Sequence, residues 1–190
     1  MFLLGLTGRA GSGKDTVAAH LAERNDFTRL SFAAPLKALA CKWFGFTDEQ
    51  VNTLDGKETP DPRWCGPDGN ARTPREVLQI LGTEGFRAVD PDFWLKIARR
   101  SVEECAACGD SGVVFTDLRF PNEADMIRSL GGHVVRVVKL DGPGTVHGAH
   151  ASEALLDEIR ADYVIRAKHG EIDKLLGWAD EMVADIRRLQ

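Results

Sequence analysis

The 190-residue sequence predicts a doubly wound α/β domain, a parallel sheet of five short strands with helices packed on it. Three observations predict it. Apolar runs of strand length alternate with stretches of helical periodicity along the chain. The first run, Phe2–Thr7, leads directly into the glycine-rich stretch Gly8-Arg9-Ala10-Gly11-Ser12-Gly13-Lys14-Asp15-Thr16. The residues after it, Val17, Leu21 and the small Ala18, Ala19 and Ala22, suit a helix packed on a sheet.

A second strand is expected at Arg29–Ala33, and Pro35 then opens a helix with Leu36, Leu39, Ala40, Trp43 and Phe44 on its apolar face. Thr47-Asp48-Glu49-Gln50 is a capping box for a further short helix. Residues 55–72 carry Pro60, Pro62, Pro67 and three glycines and read as a surface loop. Thr73-Pro74-Arg75-Glu76 combines an N-cap, a first-turn proline and a capping acid, so a helix starts there, and another covers about 91–105. The third strand is 112–116, a helix comes next over 121–130 with Gly131-Gly132 as its stop, and the fourth strand is 133–140. Residues 141–151 read as a mobile loop, 163–165 as the fifth strand and 170–189 as a closing amphipathic helix.

Composition narrows the function classes. A hydrophobic fraction of 43% and a charged fraction of 28% are ordinary for a soluble globular chain. The net charge of −5 offers no basic field for nucleic acid. No run of about 18 apolar residues suggests a membrane span, and no charged n-region suggests a signal peptide. Cys41, Cys65, Cys105 and Cys108 are expected as reduced thiols of a cytoplasmic protein, because the single Cys105-Ala106-Ala107-Cys108 lacks a second pair. His147 and His150 likewise lack companion ligands and read as loop histidines that can meet phosphate when protonated.

The glycine-rich stretch nearly matches G-x-x-x-x-G-K-[ST], with Asp15 in the hydroxyl position. Glycines let successive N–H groups converge on phosphate oxygens, the helix N-terminus adds partial positive charge, and Lys14 adds a full one. With the usual hydroxyl ligand absent, Asp15 is the expected holder of a magnesium ion, directly or through its waters, in preference to Thr16. Asp117 ends an apolar strand, with Arg119 and Glu123 next on the turn into the following helix. Arg119 can clamp a phosphate, while Glu123 either pairs with it, accepts from a ligand hydroxyl, or favours the helix dipole. Arg75, Gln79, Thr83, Glu84 and Arg87 recur at helical spacing, which fits a solvated face and a binding surface equally. Trp94 is either a stacking surface for a base or a core residue.

These residues together resemble the deoxynucleoside monophosphate kinases of bacteriophage type, within the P-loop nucleoside monophosphate kinase group. The likeness rests on Leu6 to Val17 with its Gly-Lys-Asp-Thr ending, Ser31 to Lys37, Thr73 to Glu84, Phe93-Trp94, Thr116 to Ala124 and His150 to Glu153. It implies a three-layer P-loop kinase fold with a core of about 1–34, 110–140 and 160–190, an acceptor-binding helical insert of about 35–109 and a lid of about 141–155. It also implies transfer of the ATP γ-phosphate to a deoxynucleoside 5′-monophosphate. Arg9, Gly11, Ser12, Gly13, Lys14, Asp15 and Thr16 would hold ATP and Mg2+, with Lys14, Asp15, Asp117 and Arg119 catalytic. Lys37, Arg75, Gln79, Trp94, Asp117, Arg119 and Glu123 would hold the monophosphate. The lid carries His147 and His150 but no arginine, a departure that shifts charge stabilisation to Arg119, Arg128 or Arg9. The resemblance allows a homodimer, small nucleotides as the only partners, and a cytoplasmic site, the host cytoplasm for a phage-encoded protein. Kinases of dephospho-coenzyme A or phosphomevalonate share the architecture, and a nucleotide-dependent switch is the reading from another class.

Overall fold

A computed structural model describes residues 1–141 and 155–189 of the chain. Five strands, β1 (Phe2–Thr7), β2 (Phe27–Leu30), β5 (Gly112–Phe115), β6 (His133–Lys139) and β7 (Tyr163–Ala167), form one sheet in the order β2-β5-β1-β6-β7. Every neighbouring pair in it is parallel. The strand order reverses around β1, and α/β sheets of this kind bind ligands beyond the carboxyl ends of the strands at such a reversal.

The two faces of β1 explain the layers. Leu4 and Leu6 join a core with Val17, Ala18 and Leu21 of α1 (Lys14–Asn25) and with Leu175, Ala179, Met182, Val183 and Ile186 of α9 (Ile172–Leu189). Each large apolar side chain among them contributes roughly 1.5–3 kcal/mol when fully buried. On the opposite face, a Cβ at Gly5 would lie 2.6 Å from Leu118 Cδ1 and 3.2 Å from Ile127 Cγ1. Ile127 belongs to α8 (Pro121–Ser129), so this glycine lets α8 pack close to the sheet. Helices on both faces of a parallel sheet give the three layers of the P-loop kinase fold.

The chain divides into two compact units, Met1–Ser31 with Ile97–Gln190, which carry the sheet, and Phe32–Lys96. The second unit contains α2 (Ala34–Phe44), α3 (Asp48–Asn52), α4 (Leu54–Glu58), a hairpin of β3 (Asp61–Cys65) and β4 (Ala71–Arg72), and α5 (Pro74–Gln79). A π-helical segment, Ile80–Phe86, and the short α6 (Arg87–Val89) come next, and the first four residues of α7 (Phe93–Cys108) end the unit. Its own core gathers Ala40, Phe46, Val51 and Val77, with Phe44, Trp64, Leu78 and Leu81 against them.

Several sequence expectations are corrected. The second strand sits at Phe27–Leu30 because Phe27 stacks on Phe2 at 5.2 Å in the core, while Ser31 leaves the ladder to donate to Asp117. Residues 55–72 are not a bare loop but contain the end of α4 and the β3–β4 hairpin. Trp43, expected on the apolar face of α2, is 65% exposed, and Leu36 and Ala40 do the burying instead. The helix opened by the Thr73 capping box widens into the π segment at Ile80. His147, His150 and most of the expected lid fall outside the described residues.

Candidate active site

The glycine-rich loop leaves β1 at Thr7 and enters α1 at Lys14. Gly8 has φ +138, and a Cβ there would lie 2.3 Å from the Val137 carbonyl oxygen of β6. Only glycine allows the loop to seat so closely on the neighbouring strand. Gly11 and Gly13 adopt φ +70 and +98, and a Cβ on Gly13 would meet Leu175 Cδ2 at 2.9 Å. The Lys14 ammonium folds back into the loop, donating to the carbonyls of Gly8 at 2.7 Å and Arg9 at 2.8 Å.

Two hydroxyls in this region, Thr7 Oγ1 and Ser12 Oγ, are buried without a hydrogen-bond partner among the described residues. A buried hydroxyl without a partner costs about 1–3 kcal/mol, so the loop is incomplete on its own. A phosphate beside Ser12 would supply the missing acceptor, and the cradle fits that group. Asp15 and Thr16 stand exposed on the first turn of α1, a pair of hard oxygen donors suited to Mg2+. Arg9 is also exposed and lies 4.0 Å from Asp157.

The second constellation lies beyond β5, the strand beside β1. Thr116 donates its N–H to Leu30 O at 3.1 Å and Leu118 donates to Leu6 O at 3.1 Å, which fastens the turn on both sides of Asp117. Asp117 Oδ2 accepts from the Ser31 hydroxyl at 2.7 Å. The loops after β1 and β5 therefore share one edge of the sheet. Glu123 does not present its carboxylate to a ligand, one of the roles its position in the sequence suggests. It is 2% exposed, and its Oε2 accepts from the backbone N–H of Arg119 at 2.8 Å and of Phe120 at 3.0 Å. Pro121 at the helix start brings no N–H, so this acid in the first turn of α8 satisfies the two donors that precede it.

In the second unit, Lys37 Nζ donates to Asn52 Oδ1 at 3.0 Å, and Arg75 Nε donates to Glu58 Oε1 at 2.5 Å. Both cations sit at or near the surface. Gln79 is half-buried and immediately precedes the π segment. From there the backbone is π-helical through Phe86, with i→i+5 hydrogen bonds in place of i→i+4 ones, across Thr83 and up to Arg87. Trp94 is not a free stacking surface. It is 6% exposed, packs edge-on to Phe86 at 5.1 Å and Phe93 at 4.9 Å, and donates Nε1–H to Gly82 O at 2.9 Å.

Sequence reasoning misses Asp61. This carboxylate is 5% exposed and accepts from Arg63 and from Gln50 Nε2 at 3.0 Å. Hydrogen bonds from the Arg63 guanidinium hold its pKa well below the usual carboxylate range, against the opposing effect of burial. Its spacing of two residues from Arg63 on one strand face is the available signal. The four cysteines are free thiols, and burial pushes the Cys105 thiol up.

The chain is similar to proteins of known name. The "Putative deoxynucleotide monophosphate kinase" of Acanthamoeba polyphaga mimivirus is 36% identical, with 92% of each chain covered. The "Deoxynucleoside-5'-monophosphate kinase" of Escherichia phage T5 is 29% identical over 80% of this chain and 84% of its own length. Among solved structures, a Thermus thermophilus protein matches with a TM-score of 0.53 at 19% identity, covering 97% of this chain and 96% of its own. The dephospho-CoA kinase of Campylobacter jejuni matches at 0.50 and 14% identity with the same coverage. At such identities these two show a shared fold alone. A family model described as deoxynucleotide monophosphate kinase matches residues 67–177, more than half of the sequence. With that match and the viral relatives, the chain belongs to the deoxynucleotide monophosphate kinase family.

Proposed function

We propose that this protein transfers the γ-phosphate of ATP to a deoxynucleoside 5′-monophosphate, yielding ADP and the deoxynucleoside diphosphate. The observation that carries this reading is the glycine loop with Lys14 on the edge where Asp117 and Arg119 also emerge, in a chain of this family. An acceptor phosphate oxygen attacks the γ-phosphorus while the bond to the β–γ bridging oxygen breaks. Negative charge then grows on the leaving ADP oxygen. Positioning and charge stabilisation account for most of the catalysis of such a transfer.

Lys14 leaves the Gly8 and Arg9 carbonyls for the β- and γ-phosphates, and tracks the charge onto the leaving oxygen. Backbone N–H groups of Gly11 to Thr16 receive the phosphates, the Ser12 hydroxyl gains its partner, and Arg9 adds a second cation. Asp15 would hold Mg2+ through the ion's waters, the ion would supply charge neutralisation, and Asp117 faces the acceptor beside Arg119. Arg119 grips the acceptor phosphate, with Lys37, Arg75 and Gln79 as the acceptor-binding residues of the second unit. Trp94 and Glu123 act through the backbone they hold. A kinase of small nucleotides works where those nucleotides are pooled, in the cytoplasm of the cell or of a virus-infected host. Among the described residues no helix is long and apolar enough to cross a membrane.

A coupled ADP-release assay with ATP and a panel of deoxynucleoside and ribonucleoside monophosphates and dephospho-coenzyme A tests the proposal. Turnover dependent on a deoxynucleoside monophosphate is expected. ATP turnover only with dephospho-coenzyme A, or nucleotide hydrolysis without acceptor, would overturn it. Lys14→Met removes the moving charge and should lower kcat by about two to three orders of magnitude with the fold intact by circular dichroism. Near-normal turnover of that variant would remove Lys14 from the mechanism.

A further inference from the structure

We infer that Glu123 is a positioning residue, which sets Arg119 for the acceptor phosphate by gripping the backbone of its turn without touching the nucleotide. The inference rests on the reading of Arg119 as the acceptor clamp. Its own observations are independent of that reading. The carboxylate is 2% exposed, which leaves no surface for a sugar hydroxyl or a base. Its Oε2 already accepts from the N–H groups of Arg119 and Phe120 at 2.8 and 3.0 Å. Turning it toward a ligand would break both of these bonds at the entrance of a helix whose first residue, Pro121, brings no N–H of its own.

The turn is held from both sides. Upstream, Leu118 is fully buried and its N–H is fixed to Leu6 O at 3.1 Å. Downstream, Glu123 sits on α8, whose Ala124 and Ile127 are buried and cannot slide. The Arg119 Cα is thus fixed between a strand of the sheet and a helix packed on it. A long, flexible side chain loses less entropy on binding when its base is already fixed. Charge-assisted bonds from two N–H groups to one carboxylate are about twice as strong as neutral ones, which suits this duty. A glutamine amide oxygen at the same place can accept from the same N–H groups, whereas alanine cannot.

The test is a double-mutant cycle on acceptor kinetics. Glu123→Ala should raise the acceptor KM by about tenfold or more, as removal of a supporting partner does, with the ATP KM unchanged. Glu123→Gln should stay within about threefold of the parent protein, since its oxygen restores the turn. In an Arg119→Ala background, Glu123→Ala should add nothing further to the acceptor KM, because interacting residues are non-additive. Additive losses would overturn the inference while leaving Arg119 as the clamp. An Arg119→Ala protein with unchanged acceptor KM would overturn that clamp reading and the inference with it. If Glu123→Ala does not fold, Glu123→Gln decides alone. A loss as large as that of Arg119→Ala would mean that the negative charge meets the ligand, and would sink the positioning role.

Discussion

Gly8 carries the sharpest steric demand in the phosphate loop. Its φ of +138 disfavours any side chain, and the atom that a Cβ would meet at 2.3 Å is the Val137 carbonyl oxygen of the sheet ladder. Neither can yield cheaply, because β6 is paired on both sides. Gly8→Ala should therefore cost about 2 kcal/mol or more and abolish ATP-dependent turnover. A thermal melt and an ADP-release assay check both; an unchanged Tm would mean that the loop is not seated on β6. Asp15 is a different case, exposed and free to turn toward an ion. Asp15→Ser should shift the magnesium dependence of turnover to higher concentration, and an unchanged profile would remove Asp15 from the metal's shell. At this scale the sequence is informative about the loop, since glycines, lysine and acid act within one local motif. It is less informative about Glu123 and Trp94. Their residue types suggest ligand contacts, but Glu123 turns back to the start of its own helix and Trp94 is drawn into packing with Phe86 and Phe93.

The π segment shows the same limit at the scale of an element. The Thr73 capping box and Pro74 announce the helix, and the structure keeps both. Within the widened turn at Ile80–Phe86, the Gly82 carbonyl accepts from the Nε1–H of a tryptophan twelve positions on, at 2.9 Å. Gly82 and Gly85 lower the helical preference of this stretch, so a carbonyl can be diverted there. Gly82 is also close to Leu36 of α2, where a Cβ would meet Cδ2 at 2.8 Å. No local pattern encodes this arrangement, in which Leu36, Gly82 and Trp94 meet from distant parts of the unit. The β3–β4 hairpin is hidden for a related reason. Its prolines and glycines look like loop, while the pairing and the buried Asp61 become apparent only in three dimensions. Trp94→Phe keeps the ring packing with Phe86 and Phe93 but removes the donor. It should cost about 1–3 kcal/mol and return Ile80–Phe86 toward α-helical hydrogen bonding. Amide exchange across 80–86 reads that change, and unaltered protection would mean that Trp94 does not hold the π turn.

At the scale of the molecule, the two units draw their stability from different sources. The first buries a large apolar sheet core, with the Glu123 carboxylate buried at the start of α8. The second has a smaller apolar cluster and relies in addition on the ionised Asp61, which draws Arg63 and Gln50 together. Because the native pKa of Asp61 lies below its unfolded value, the native state favours the charged form. The stabilisation is therefore full above the unfolded pKa near 4 and is lost as pH falls toward the native one. Arg63 is half exposed and solvent screens the pair, so the contribution is modest. Three of the four tryptophans, Trp43, Trp64 and Trp94, lie in the second unit, and their fluorescence mainly reports its unfolding. On acidification below about pH 4, the fluorescence transition should precede the loss of helical circular dichroism from the sheet-bearing unit. Asp61→Asn should melt earlier than the parent protein at pH 7, and that difference should shrink at pH 3, below the unfolded pKa, where the unfolded chain takes up a proton that the native carboxylate does not. A difference in Tm that is equal at the two pH values would show that Asp61 acts through its shape and not its charge.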